Sequence, residues 1–170
     1  MNKIPSDASA WKEIDWKRLT KLNLKKLQSL MKADEVDTLF VHHIENFQYV
    51  TGYKVPVHMN MMFNILRQGA IVLVDEDQPI MLAGAADIFD AKNFWWIEDV
   101  RPMPADFDRW PKIIKKAFLD HGLKRGKIAV DPFSPYSLVD GIRRELRSGY
   151  TLVNADSILK KARGAENEEE

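Results

Sequence analysis

The sequence predicts an α/β layer fold, a mixed β-sheet covered by helices on both faces. Three observations predict it. Segments with helical apolar spacing alternate with short β-rich runs at close intervals, and two of those runs form a hairpin in the middle of the chain. A length of 170 residues suits one compact domain, which at this size buries roughly two-thirds of its unfolded surface.

Residues 15–33 read as an amphipathic helix. Leu19, Leu22, Leu27, Leu30 and Met31 are expected on one face, and Lys17, Lys21, Lys25 and Lys32 on the other. After the polar break Asp34–Asp37, the run Thr38-Leu39-Phe40-Val41 predicts a buried strand. Asn46 to Val50 fits a short helical turn ended by Gly52, which reaches left-handed backbone at little cost. Ala70–Val74 and Pro79–Leu82 flank the acidic turn Asp75-Glu76-Asp77-Gln78 as a hairpin.

Ala85 to Ala91 predicts a short helix, followed by the apolar run Phe94-Trp95-Trp96-Ile97. Trp110 to His121 has helical spacing, with Ile113, Ile114, Ala117 and Phe118 inward and Gly122 at the stop. Lys127–Val130 predicts a strand ended by Asp131-Pro132. Ser134 to Arg147 predicts a helix with Ser134 as N-cap and Pro135 at the first helical position. Thr151-Leu152-Val153 and a short helix from Asp156 to Arg163 complete the set. Residues 1–14 are assigned to an N-terminal extension, 15–163 to the domain and 164–170 to an acidic tail.

Composition excludes several functions. With 25 basic and 25 acidic side chains the net charge is zero, which argues against a broad nucleic-acid-binding face. Cysteine is absent, so disulfides, thiolate-bound zinc and thiol catalysis are ruled out. The first seven residues lack an apolar stretch, and runs such as Ala70–Val74 are far too short to cross a bilayer. The expectation is a soluble cytoplasmic protein.

Local chemistry is sparse. His42 and His43 are adjacent at a strand end, so their side chains point to opposite faces and do not converge on one ion. His121 falls in the last turn of a helix, where an imidazolium favours the dipole. Asp75-Glu76-Asp77 lacks the spaced ligands of a calcium loop. Asp87 and Asp90 share a helix face but read as solvated, and Trp95, Trp96 and Trp110 read as packing residues. No phosphate-cradling glycine loop and no nucleophile elbow is present.

Three stretches carry more information. The segment from Arg18 to Phe40 is an Arg-led helix running into a strand through Val36-Asp37. Asn46-Phe47-Gln48-Tyr49-Val50-Thr51-Gly52-Tyr53 follows the pattern Asn-x-x-Tyr-hydrophobic-Thr-Gly-aromatic. Gly126–Asp131 and Asn154–Arg163 supply the closing strand–helix portion. Together, in this order, they resemble the N-terminal domain of the creatinase/prolidase family. The resemblance runs from about Asp15 to Arg163 and then departs, with Glu166 where the family carries Lys.

The resemblance implies a mixed, about six-stranded sheet of ribonuclease-H-like topology. It also implies that this domain is non-catalytic. Chemistry in the family belongs to a separate C-terminal domain holding two divalent metal ions (Mn, Co or Zn), so residues 164–170 would begin the linker towards it. The Asp120–Asp131 pair has the spacing of two family ligands, but no His follows His121, so a surface role for Asp120 and a strand-end role for Asp131 are the nearer readings.

The partners implied are the catalytic domain of the same polypeptide and a second subunit, as a homodimer, with no nucleic acid and no membrane. The loop after the Thr-Gly-aromatic motif would approach the partner subunit's active site, which nominates Tyr53, His58, Met62, Phe63 and Arg67 for substrate or partner contact. The parent would be an Xaa-Pro dipeptidase or aminopeptidase. A creatinase-like hydrolase or lyase and a free-standing interaction module are the alternatives, and a flavodoxin-like ligand-binding domain is the weakest.

Overall fold

The computed structural model describes residues 15–53, 68–84 and 87–164. Asp15 accepts a hydrogen bond from the Arg18 amide at 2.9 Å and so caps helix α1 (Trp16–Ala33). The core face of α1 is the expected one at Leu27, Leu30 and Met31 and departs from it in the first turns. Thr20, Leu24, Leu27 and Met31 are buried, whereas Leu19 and Leu22 are exposed. The buried set recurs at the period of one helix face, and it includes Thr20 because that small side chain lies against Gly52 of the next helix.

The elements that follow are β1 (Thr38–Val41), α2 (Ile44–Thr51), β2 (Gly69–Leu73), β3 (Ile80–Ala83), α3 (Ile88–Phe94) and β4 (Val100–Pro102). A 3-10 turn (Phe107–Arg109) then leads into α4 (Trp110–Asp120), β5 (Gly126–Val130), α5 (Tyr136–Leu146), β6 (Tyr150–Asn154) and α6 (Asp156–Arg163). The six strands form one mixed sheet in the order β4-β3-β2-β1-β5-β6. β2 is antiparallel to both β1 and β3, while β1–β5, β5–β6 and β3–β4 are parallel.

Strand alternation divides the core into two layers. Leu39, Val41, Ala70, Val72, Met81, Ala83 and Ala129 face helices α1, α2, α3 and α6. Phe40, Ile71, Leu73, Ile80, Leu82, Ile128 and Val130 face α4 and α5. Both faces of the central strands are therefore covered, and β1, β2 and β3 are buried throughout, which explains why they read as continuous apolar runs.

Two local expectations are corrected, and one strand is added to the expected set. The short helix is Ile88–Phe94, so Phe94 ends it and Trp95–Ile97 forms the connection to β4. Strand β4 itself was not predicted, being three residues long. Helix α5 begins at Tyr136 after Pro135, and the Ser134 hydroxyl caps nothing. The Asp131 carboxylate accepts instead from the Phe133 amide at 3.0 Å, and the Asp131 carbonyl accepts from the Ser134 amide at 3.0 Å.

At the hairpin end of the sheet, Arg101 bonds Asp99 through Nε at 2.9 Å and Nη2 at 2.6 Å, and reaches Asp120 through Nη1 at 2.7 Å. His121 was expected to serve the helix dipole. Its ring lies 3.0 Å from Asp99 Oδ2 and 3.4 Å from Glu76 Oε1, bridging two other elements. Burial pushes the Asp99 carboxyl up, but the hydrogen bonds from Arg101 and His121 outweigh it and leave the group below its ordinary value.

A carboxyl held lower in the folded state contributes stability above its unfolded pKa, about 3.9, and loses that contribution as pH falls through the folded value. Arg101→Gln is therefore expected to destabilise the fold near pH 6 and to differ less from the parent near pH 3. Urea titrations at the two pH values check this. An equal gap at both would show that Arg101 acts by packing alone.

Candidate functional site

The Asn46–Tyr53 motif lies at the carboxyl edge of the sheet, and its residues bind separate elements together. Asp131, at the end of β5, is 1% exposed. Its Oδ2 accepts from the His42 amide at 3.1 Å, the His43 amide at 3.0 Å and Asn46 Nδ2 at 2.9 Å. The first two are the amides entering α2, whose orphan donors need an acceptor. Asn46 in turn accepts from Arg163 Nη1 at 3.0 Å, and Arg163 Nη2 bonds Glu45 at 2.5 Å. Tyr49 Oη donates to the Ala162 carbonyl at 2.8 Å, so α2 is held to α6 at two points.

The other half of the motif shapes the exit from α2. Thr51 Oγ1 donates to the Phe47 carbonyl at 2.8 Å and accepts from the Tyr53 amide at 3.1 Å. Gly52 takes φ +67°, the left-handed end of the helix. The Thr51 carbonyl accepts from the indoles of both Trp95 (2.9 Å) and Trp96 (3.2 Å). Tyr53 is buried, with its ring edge-on to Trp95 at 5.6 Å. Burial first, and then the negative charges of Asp87 and Asp90, raise its phenol above the ordinary value. The phenol is thus neutral at physiological pH.

The chain re-enters at Gln68, which is 2% exposed and donates to Asp87 Oδ2 at 3.1 Å. Both ends of segment 54–67 therefore start from buried, hydrogen-bonded residues at the same edge of the sheet. Of the nominated contact residues, Tyr53 is placed at that edge. His58, Met62, Phe63 and Arg67 lie outside the described residues.

The histidine pair separates as expected. The His42 ring packs 5.6 Å from Trp110, and the His43 ring packs 4.8 Å from Phe133. Asp120 and Asp131 do not share a site, since Asp120 pairs with Arg101 and Lys116 while Asp131 holds the entry to α2. Among the described residues no group of three or more His, Asp or Glu is placed to hold a metal ion. No described helix is long and apolar enough to cross a membrane. What the edge offers chemically is a rigid frame with a neutral phenol and adjacent carboxylates.

Asn46, Tyr49, Thr51, Gly52 and Arg163 stand out in the sequence by pattern, whereas Asp131, Gln68 and the indole donors carry no sign there of a part in the site. The Asn46–Asp131 bond spans 85 residues and the Arg163–Asn46 bond 117, so no local pattern marks them.

The profile of the Creatinase/Prolidase N-terminal domain matches residues 23–164. None of the curated proteins matches the chain. Solved structures share its fold. Aminopeptidase P from Streptococcus thermophilus aligns with a TM-score of 0.63 at 16% identity, over 85% of this chain and 98% of that one. The N-terminal domain of the cytoplasmic peptidase PepQ from Mycobacterium tuberculosis gives 0.62 at 14% identity, over 84% and 98%. Prolidase from Pyrococcus furiosus gives 0.56 at 17% identity, over 81% of this chain but 36% of that longer one.

Proposed function

The chain belongs to the Creatinase/Prolidase N-terminal domain family, and from that premise we propose that it is the non-catalytic N-terminal domain of an Xaa-Pro-directed metallopeptidase. In this reading it supports dimerisation and shapes the partner subunit's active site. The observation that carries the assignment is the profile match over 23–164, which takes in all six strands of the sheet. The length relation supports it too. The chain spans nearly all of the isolated PepQ domain but about a third of the Pyrococcus prolidase, which leaves room for a catalytic domain elsewhere in the polypeptide. The two divalent metal ions would belong to that domain, and their chemistry would be metal-assisted hydrolysis.

Support for the shaping role comes from the frame of segment 54–67. Tyr53 and Gln68 hold its two ends, and the segment carries His58, Met62, Phe63 and Arg67. Methionine adapts to irregular apolar surfaces, and Arg pairs with carboxylates in a fixed fork.

Two measurements test the proposal. The 170-residue chain, given an Xaa-Pro dipeptide and Mn²⁺, is expected to show no hydrolysis. Chelator-sensitive turnover by the pure chain would falsify its non-catalytic role. In the full-length polypeptide, His58→Ala and Arg67→Ala are each expected to lower kcat/KM about tenfold, the loss of one charge-assisted hydrogen bond. Unfolding midpoints should not move. Unchanged kcat/KM in both variants removes the contact in trans.

A further inference from the structure

Strand β6 ends the sheet, with β5 as its one strand neighbour among the described residues. The phase of that pairing decides which backbone groups are spare. The Gly126 amide donates to the Gly149 carbonyl at 2.9 Å, and the Ala155 amide donates to the Val130 carbonyl at 3.0 Å. In a parallel ladder this phase turns the peptide groups of Thr151 and Val153 towards β5. The N–H and C=O groups of Tyr150, Leu152 and Asn154 then point away from the sheet. The side chains of Tyr150 and Leu152 pack on the layer of α4 and α5, and Val153 packs on the other.

A groove runs beside this edge, between β6 and α5. One part, of about 430 Å³, is lined by Ser134, Tyr136, Val139, Arg143, Leu152 and Asn154 among others. The second part, about 270 Å³, is lined by Arg143, Leu146, Arg147, Tyr150, Thr151 and Leu152. Arg143 and Leu152 belong to both, so the groove is continuous along the strand. Its floor is apolar, and Tyr136 stands 80% exposed at one end. The Ser134 hydroxyl, buried in the first part, has no hydrogen-bond partner among the described residues.

The charge along the α5 side is basic. Asp140 lies 3.1 Å from Arg144 and 4.0 Å from Arg143, but Arg147 has no ion-pair partner among the described residues. Glu145 is engaged by Lys115 at 3.2 Å, and Asp131 is occupied by the amides entering α2.

We propose that the β6 edge and the α5 groove bind an extended acidic peptide segment, added to the sheet as a further strand. Three features select this occupant. The spare groups of Tyr150, Leu152 and Asn154 alternate as a strand partner requires. Every second side chain of an added strand would face the groove, where Val139 and Leu152 take an apolar residue and Arg143 and Arg147 take carboxylates. A second copy paired through its own β6 would bring these arginines against their equivalents, and that repulsion disfavours it. One end of the groove shares Asp131 with the edge that frames segment 54–67, but the pairing groups of β6 and the arginines of α5 do not belong to that edge, so the proposal does not rest on the peptidase reading.

The probe is the blocked peptide Thr-Glu-Thr-Val-Thr-Glu-Thr, whose groove-facing Glu, Val and Glu suit either strand direction. Added to the full ¹⁵N-labelled chain, it is expected to slow hydrogen exchange of the Tyr150, Leu152 and Asn154 amides. Its Kd should rise about tenfold in Arg143→Glu or Arg147→Glu, exposed substitutions that spare the core. The same peptide with Lys for Glu should not bind. Unchanged exchange at the three amides, or equal binding of the Lys peptide, overturns the proposal. Protection already present without peptide also overturns it. If that protection grows with protein concentration, a second copy covers the edge. If it disappears when residues 165–170 are removed, the chain's own acidic segment does.

Discussion

Asp131→Ala is expected to cost about 3–5 kcal/mol of folding stability, a scale set by removing one partner from a buried charged network. The carboxylate accepts from the His42, His43 and Phe133 amides and from Asn46 Nδ2, at 2.9 to 3.1 Å. Alanine leaves these donors facing an apolar methyl, and each unsatisfied buried donor costs about 1–3 kcal/mol. For a chain of this length the loss corresponds to a fall in Tm of roughly 10 °C. Asp131→Asn separates the contributions. An amide oxygen at the Oδ2 position keeps three of the bonds and turns its NH₂ against the Phe133 amide alone, so about 1–2 kcal/mol is expected. Urea unfolding followed by tryptophan fluorescence measures both. A loss below about 1 kcal/mol for the alanine variant would mean that water replaces the carboxylate.

Gly52→Ala is expected to cost about 2–4 kcal/mol, from two sources that can be taken apart. A φ of +67° is strained for any residue with a Cβ, by about 1–2 kcal/mol. The new methyl would also run into the Thr20 hydroxyl, with Trp95 Cζ2 behind it at 3.4 Å. Thr20→Ala in the same chain removes the collision but not the backbone strain. The double variant should therefore be less destabilised than the two single losses added together, by about 1 kcal/mol or more. Strict additivity would place the whole cost in the backbone.

The architecture was legible where burial repeats at short range. The runs of β1, β2, β3 and β5 and the helical spacing of α4 show directly in the sequence, because residues buried on both sheet faces must be apolar in series. Strand β4 was not legible. Three residues ending in Pro102 carry no period, and they become a strand by pairing with β3. The face of α1 is legible at Leu27, Leu30 and Met31 but not in its first turns, where the apolar Leu19 and Leu22 are exposed and the fold takes Thr20, a small side chain, over Gly52.

The same division runs through the site. Motif spacing selected Asn46 to Tyr53, but the partners of those residues come from far along the chain. Trp95 lies 44 residues beyond the Thr51 carbonyl it bonds. Asp131 reads as a strand end before proline, which it is, but nothing local marks it as the acceptor that completes the entry to α2. Helix α5 illustrates the cost of a purely local rule, since Ser134-Pro135 has the form of a cap but the backbone turns around Asp131.

The central strand also has a consequence for how the domain comes into being. β1 pairs on one side with β2, and on the other with β5, where Thr38 meets Ile128. The donors entering α2 wait for a carboxylate 89 residues further on. At synthesis rates of about 5–20 residues per second, on the order of ten seconds separates the emergence of the two partners. During that interval an apolar strand has one open edge, and the sheet closes only after the last third of the chain has left the ribosome. Such late, non-local pairing is slow and exposes the intermediate to association with its neighbours.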